Sequence, residues 1–149
     1  SIVPRSMVPQ YTGPSSYLLL TKYNNYGGGG GDGLNKLGVF DPNVSMIDPI
    51  SGATVMNAVL EVLGPTPDPQ FPGGVREWCI NTAGIDVVGQ SAIVNCEDGK
   101  AYRWHFPTNT LSETVSLTIG IGEAYTPTII GSNGVCYAMN NATLYALGR

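Results

Sequence analysis

Basic residues are scarce in this sequence and nowhere clustered: seven Lys and Arg stand against eleven Asp and Glu, a formal net charge of −4. Binding to a phosphate backbone draws on counterion release by Lys and Arg, so a nucleic-acid partner is not expected. No apolar run reaches the roughly 18 residues that span a bilayer, and residues 1–10 have neither the basic start nor the apolar stretch of a signal peptide. The reading is of a soluble chain, already processed. There is one histidine, His105, and the three cysteines, Cys79, Cys96 and Cys136, form no C-x-x-C pair. Zinc is therefore not expected, and the cysteines read as small apolar residues buried in strands. Charged residues make up only 12% of the chain.

Turn formers and apolar residues are plentiful. Gly 20 and Pro 11 give 31 of 149 residues, well above the usual combined share of about 12%. Hydrophobic residues at 42% are enough for a core. Residues 92–95 and 98–104 have a counterpart in residues 137–140 and 141–147, each a strand, a tight turn and an alternating second strand. Upstream, residues 77–82 match residues 123–128 at an offset of 46 (123 − 77). A period of that length suits a four-stranded antiparallel unit.

A looser copy opens the chain. Repeat one (about 9–63) has strands near Tyr11 and at 17–23, 36–40 and 58–63. Repeat two (about 77–118) has strands at 78–82, 92–95, 101–106 and 114–118. Repeat three (about 123–149) has strands at 126–130, 135–139 and 143–147 and no fourth, for which residues 1–8 are the candidate closing strand. Pro4 is tolerable there because an outermost strand is an edge. A helix over residues 55–63 is the competing local reading, set aside because the segment is short and β-branched.

The expected fold is therefore all-β: a partial β-propeller of about three four-stranded antiparallel blades, forming one propeller-like domain over residues 1–149. The run from Pro127 to Ala138, followed by Thr143 to Leu147, resembles the repeat of pyrroloquinoline-quinone-like β-propellers, and the likeness extends over about residues 77–148. That repeat serves quinoprotein dehydrogenases, outer-membrane assembly scaffolds and secreted binding proteins, so it implies a fold and an extracytoplasmic (secreted or periplasmic) setting rather than one activity. With no adjacent cysteine pair or other cofactor-docking signature, quinone catalysis does not carry over, and no cofactor is expected apart from Ca²⁺. Three blades do not close a ring of the usual 4 to 8. A protein partner, or another copy of the chain lending residues 1–8, would complete it.

In such a meander the insertions at 24–33 and 64–74 share an edge with the starts of the innermost strands, where Arg76, Glu77 and Glu123 sit. Long loops on a rigid scaffold concentrate binding residues. Arg76, Glu77, Glu123 and Tyr125 are the candidate ligand-binding residues. The two glutamates would face the propeller axis, where a cation or a sugar would offset their repulsion. Asn24, Asn25 and Asp32, with flexible glycine backbone between them, are candidate oxygen ligands for Ca²⁺. Tyr102, Trp104, Tyr145 and Leu147 read as packing between blades, and His105 as a surface or interblade residue, since one histidine without partners supports no catalytic triad. The leading expectation is a non-catalytic module that binds or scaffolds through its loop-rich face, with a protein or a glycan as partner. A self-assembling structural protein and an extracytoplasmic carbohydrate-active lyase or hydrolase using channel carboxylates are the alternatives.

Overall fold

The computed structural model of the chain describes residues 1–80, 82–119 and 127–148. Among them the regular structure is all-β, in three antiparallel sheets of four, four and three strands, with no closed barrel. The first sheet holds β1 (Ile2–Pro4), β2 (Tyr17–Tyr23), β3 (Lys36–Ile47) and β4 (Thr54–Leu63) in chain order. The second holds β5 (Gly84–Asp86), β6 (Ser91–Cys96), β7 (Lys100–His105) and β8 (Thr110–Ser116). The third holds β9 (Ile129–Ile130), β10 (Cys136–Asn140) and β11 (Thr143–Leu147). Among the described residues no helix is long and apolar enough to cross a membrane.

Alternation explains how the sheets stack. On the first sheet Val3, Leu18, Leu20, Leu37 and Val39 point to one side. They share a single apolar cluster with Ala92, Val94, Tyr102, Trp104 and Phe106 of the second. The other face of the second sheet, carrying Ile93 and Ala101, shares a smaller cluster with Cys136, Ala138, Tyr145 and Leu147 of the third. A central strand with neighbours on both faces must be apolar or satisfied at every position, and all six residues of β6 are buried. Trp104 and Phe106 are fully buried and meet edge to face, centroids 5.2 Å apart. Tyr102 and Trp104 pack between the first and second sheets and Tyr145 and Leu147 against the second sheet from the third, and Cys79, Cys96 and Cys136 are buried free thiols.

Four local expectations are overturned. Residues 1–8 do not close the third repeat: Ile2–Pro4 pairs with β2, Val3 opposite Leu18, and Arg5–Met7 forms a 3₁₀ turn. Val3, Met7 and Val8 bury their side chains almost completely in the core that the first sheet shares with the second. Tyr11 lies in no strand. Its hydroxyl bonds to Asp41 and accepts the Ser15 amide at 2.9 Å, so the proline- and glycine-rich stretch around it is a loop held by side chains. The first strand of repeat two is broken. Trp78 alone bridges to Cys96, and the ladder resumes at Gly84 opposite Ile93. Finally, Val94 pairs with Tyr102 whereas Ala138 pairs with Tyr145, so the second strands of repeats two and three are one residue out of step with the sequence alignment. The hairpin turns account for this. Residues 97–99 form a three-residue turn with Gly99 at φ 80°, and Asn141 and Ala142 form a two-residue turn with φ 45° and 57°. Positive φ at both central residues gives the tighter type I′ geometry.

Several strands also run longer than expected. β3 and β4 extend to Ile47 and back to Thr54, with register shifts near Phe40 and Asp41, so the segment read as a competing helix is a strand. The turn at their tip is built by Asp48, which accepts hydrogen bonds from the Ile50 and Ser51 amides.

Candidate functional site

The two long insertions do share one edge, and they pack on each other. The first leaves β2 after Tyr23, makes a 3₁₀ turn at Gly27–Gly29 and enters β3 at Lys36. The second runs from Gly64 to Gly74. Phe71 of the second keys into the first: a Cβ at Gly27 or at Gly33 would stand 2.5 Å from its ring. Only glycine lets the aromatic ring approach the backbone so closely. The Val75 amide donates to the Gly33 carbonyl at 3.0 Å, and Asn35 Nδ2 donates to the Val75 carbonyl at 2.8 Å.

Asn24 ties this pair of loops to the second sheet. Trp78 is fully buried, and its peptide groups point away from β6 because the Trp78–Cys96 bridge is made by the neighbouring Cys79 and Glu97 amides. The Asn24 side-chain amide fills that gap as a strand would. Its Oδ1 accepts from the Trp78 N–H at 3.3 Å and its Nδ2 donates to the Trp78 carbonyl at 3.2 Å. The same Nδ2 lies 3.1 Å from Glu77 Oε2 and 3.2 Å from the Tyr26 oxygen, so its two hydrogens are shared among three acceptors. Tyr26 donates its hydroxyl to Glu77 Oε2. Burial, then this bond to Glu77, raises the Tyr26 hydroxyl pKa. The Tyr26 ring remains 49% exposed, which leaves an aromatic face open to solvent beside a half-buried carboxylate.

Of the predicted site residues, Glu77 and Asn24 are thus in direct contact, although they were assigned to different sites. Arg76 is buried and does not pair with Glu77. Its guanidinium lies 3.3 Å from Glu97 and 3.9 Å from Asp68, bracing the base of the second insertion. Asn25 Nδ2 donates to Asp32 Oδ1 at 2.8 Å, and the Leu34 amide donates to the same oxygen at 2.9 Å. Among the described residues no group of three or more His, Cys, Asp or Glu side chains is gathered to hold a metal ion. Glu123 and Tyr125 lie outside the described residues. Next to this cluster Asp98 is buried and accepts from Thr66 Oγ1 at 2.6 Å and from the Tyr102 hydroxyl. Burial, reinforced by Asp98, raises the Tyr102 hydroxyl pKa. Around the cluster Asp32, Glu61, Asp68, Glu77, Glu97 and Asp98 stand against Arg76 and against Lys36 and Lys100 at the starts of β3 and β7, so the edge is acidic on balance.

Sequence reading missed Tyr26, Phe71, Glu97 and Asp98. The aromatics sit in irregular loops with no periodicity to flag them, while Glu97 and Asp98 look like ordinary turn residues. Also unforeseen is a cleft of about 560 Å³ between the second and third sheets. Arg103 lines it, 2.8 Å from Asp86 and 2.9 Å from Glu113. His105 is half-buried, with Nδ1 2.9 Å from Thr108 Oγ1 across the turn after its strand. Comparison of the chain with protein-family models, with curated proteins and with solved structures finds no match.

Proposed function

We propose that this chain is a non-catalytic binding module of propeller type, and that its ligand docks on the acidic, loop-bearing edge at Tyr26 and Glu77. The propeller reading draws on the three antiparallel sheets stacked in chain order and on the repeat resemblance. The observation that carries the binding site is the lock between Asn24, Tyr26, Glu77 and the Trp78 backbone. It holds an exposed aromatic face and a carboxylate in one orientation before any ligand arrives, and preorganisation of this kind lowers the ordering cost of binding. An aromatic face for C–H contacts beside carboxylate and amide groups for hydroxyls suits a hydroxyl-rich ligand, a glycan chain. The scarcity of basic side chains at this edge disfavours anionic ligands.

A panel of neutral and acidic oligosaccharides, each with CaCl₂ or with EDTA, tests this through the melting temperature and by titration calorimetry. A neutral glycan should stabilise the protein, and Tyr26→Ala should abolish that shift while leaving the circular dichroism spectrum intact. Stabilisation by calcium alone that is lost in Asp32→Asn would instead point to a cation at Asn25 and Asp32. If no member of the panel moves the melting temperature of the unmodified protein, the glycan assignment fails.

A further inference from the structure

The three sheets are unequal. The first and second each end on an outer fourth strand, β4 and β8, that follows the third strand through a hairpin, whereas the third sheet ends on β11. Among the described residues no strand pairs with the outer edge of β11. Its two-residue turn makes Asn140 and Thr143 a hydrogen-bonded pair. Alternation then turns the peptide groups of Leu144 and Ala146 away from β10 and toward that open edge. A row of unpaired peptide groups is a template for a further strand.

The second sheet shows what such a strand would touch. Where it meets the first sheet, the outer strand is covered: Leu60 and Val62 of β4 join the shared core, and Asn109 Nδ2, at the turn into β8, donates to the Glu61 carbonyl at 3.2 Å. Where it meets the third sheet, Ala101 of β7 is buried, yet Val115, its register partner facing the same way from β8, is 45% exposed. Glu113, the partner of Arg103, is likewise open to solvent. The cleft of about 560 Å³ lies here, with Glu113 and Val115 on one wall and Leu147 and Gly148 on the other. Since the second sheet has one strand more than the third, β8 overhangs the open edge of β11 and the space beneath it is one strand wide.

We propose that this edge takes up an extended peptide segment of another protein, which adds to β11 as a fourth strand and sets alternate side chains into the cleft. The spacing on β8 gives the chemistry. Glu113 and Val115 are two residues apart on one face, so two peptide residues at the same separation meet them. An apolar side chain suits Val115. A basic one suits Glu113, because Asp86 and Glu113 together outweigh Arg103, which bridges them at 2.8 and 2.9 Å. A second copy pairing through its own β11 does not fit, because two overhanging second sheets would then meet in one layer. The cleft shares no residue with the lock at Asn24, Tyr26 and Glu77, and the proposal stands or falls separately from the glycan site.

The test is an NMR titration of the isotope-labelled whole chain with a capped synthetic heptapeptide of threonines that carries one lysine and one valine two positions apart, made in both orders. One of the two orders should shift the Leu144 and Ala146 amides and slow their hydrogen exchange. Glutamate in place of the lysine should weaken binding about fivefold or more, and Glu113→Lys should reverse that preference. Ala146→Pro removes an outward N–H and leaves the ladder to β10 whole, so it should abolish binding with the melting temperature unchanged. If that variant misfolds, a peptide N-methylated at the residues whose N–H groups face β11 replaces it and should not bind the unmodified chain. Tyr26→Ala should bind the peptide as the parent does. Leu144 and Ala146 unmoved at millimolar peptide overturn the proposal, as does equal binding of the acidic peptide or equal binding by Ala146→Pro. Protection of Leu144 and Ala146 that rises with protein concentration in the absence of peptide would assign a second copy to the edge and likewise overturn it.

Discussion

Asn24→Ala is the sharpest probe of the loop lock. The substitution removes both side-chain partners of the Trp78 peptide groups, at 3.2 and 3.3 Å, and the contacts to Glu77 and Tyr26. A buried backbone group left unpaired costs about 1–3 kcal/mol. Two such groups set an upper range of about 2–6 kcal/mol, and because Asn24 is itself half-buried, entering water recovers part of this. A loss of about 2 kcal/mol is expected, which for a chain of this size lowers the melting temperature by roughly 4–8 °C. Hydrogen exchange should report the same event locally, the Trp78 amide losing protection while the Val94 amide in the middle of β6 keeps it. Asn24→Asp retains an acceptor for the Trp78 N–H but sets a second carboxylate beside Glu77. It should destabilise more than Asn24→Ala at neutral pH and recover as the pH falls below about 4, near the usual carboxylate range. A melting temperature for Asn24→Ala within about 1 °C of the parent, with Trp78 protection unchanged, would refute the bridging role of the side chain.

The tip of the long hairpin should open in acid. Hydrogen bonds from Ser51 and Tyr23 hold the Asp48 carboxyl at about 2, below its unfolded value of about 4, so its contribution is complete above pH 4 and fades as the pH drops toward 2. Asp48→Asn should remove that acid step from the chemical shifts of the hairpin amides, and an unaltered step would count against it. Burial, with the Asp48 contact second, pushes the Tyr23 hydroxyl up to about 12, so an absorbance titration should find Tyr23, together with Tyr26 and Tyr102, ionising after the other tyrosines, and Tyr23→Phe should remove one of these late steps. Trp104→Ala removes a fully buried ring between the first and second sheets and should cost about 3–5 kcal/mol by denaturant unfolding; a loss under about 1 kcal/mol would mean that the two sheets do not share that core. Cys79, Cys96 and Cys136 are buried thiols, and burial raises the pKa of the latter two. A thiol reagent should therefore label none of the three in the native protein and all three after unfolding.

What the sequence determined by itself is the set of strands that are short apolar runs or alternate, bounded by turn residues. The apolar runs at residues 17–23 and around Val94, and the alternating strands around Tyr102 and ending at Leu147, could be read directly, because period-two hydrophobicity follows from the geometry of a pleated strand and a strand covered on both faces is apolar throughout. The turn residues Asp98, Gly99 and Asn141 marked where those strands reverse. The sharing of one edge by both insertions was also legible, since strand count alone assigns each loop to an edge. Tertiary structure decided the rest. Residues 1–8 look the same whether they close a third sheet or open a first one. The choice fell to Val3, Met7 and Val8, which are buried in one core with Leu18 and Trp104. Arg76 and Glu77 are adjacent in sequence and were expected to act together, yet neighbouring residues on an extended strand point to opposite sides. One therefore met Glu97 and Asp68, the other Asn24 and Tyr26. The Trp78 peptide groups point away from β6, and only the folded chain could bring a loop asparagine some fifty residues upstream to pair with them, because no local pattern encodes a contact at that separation.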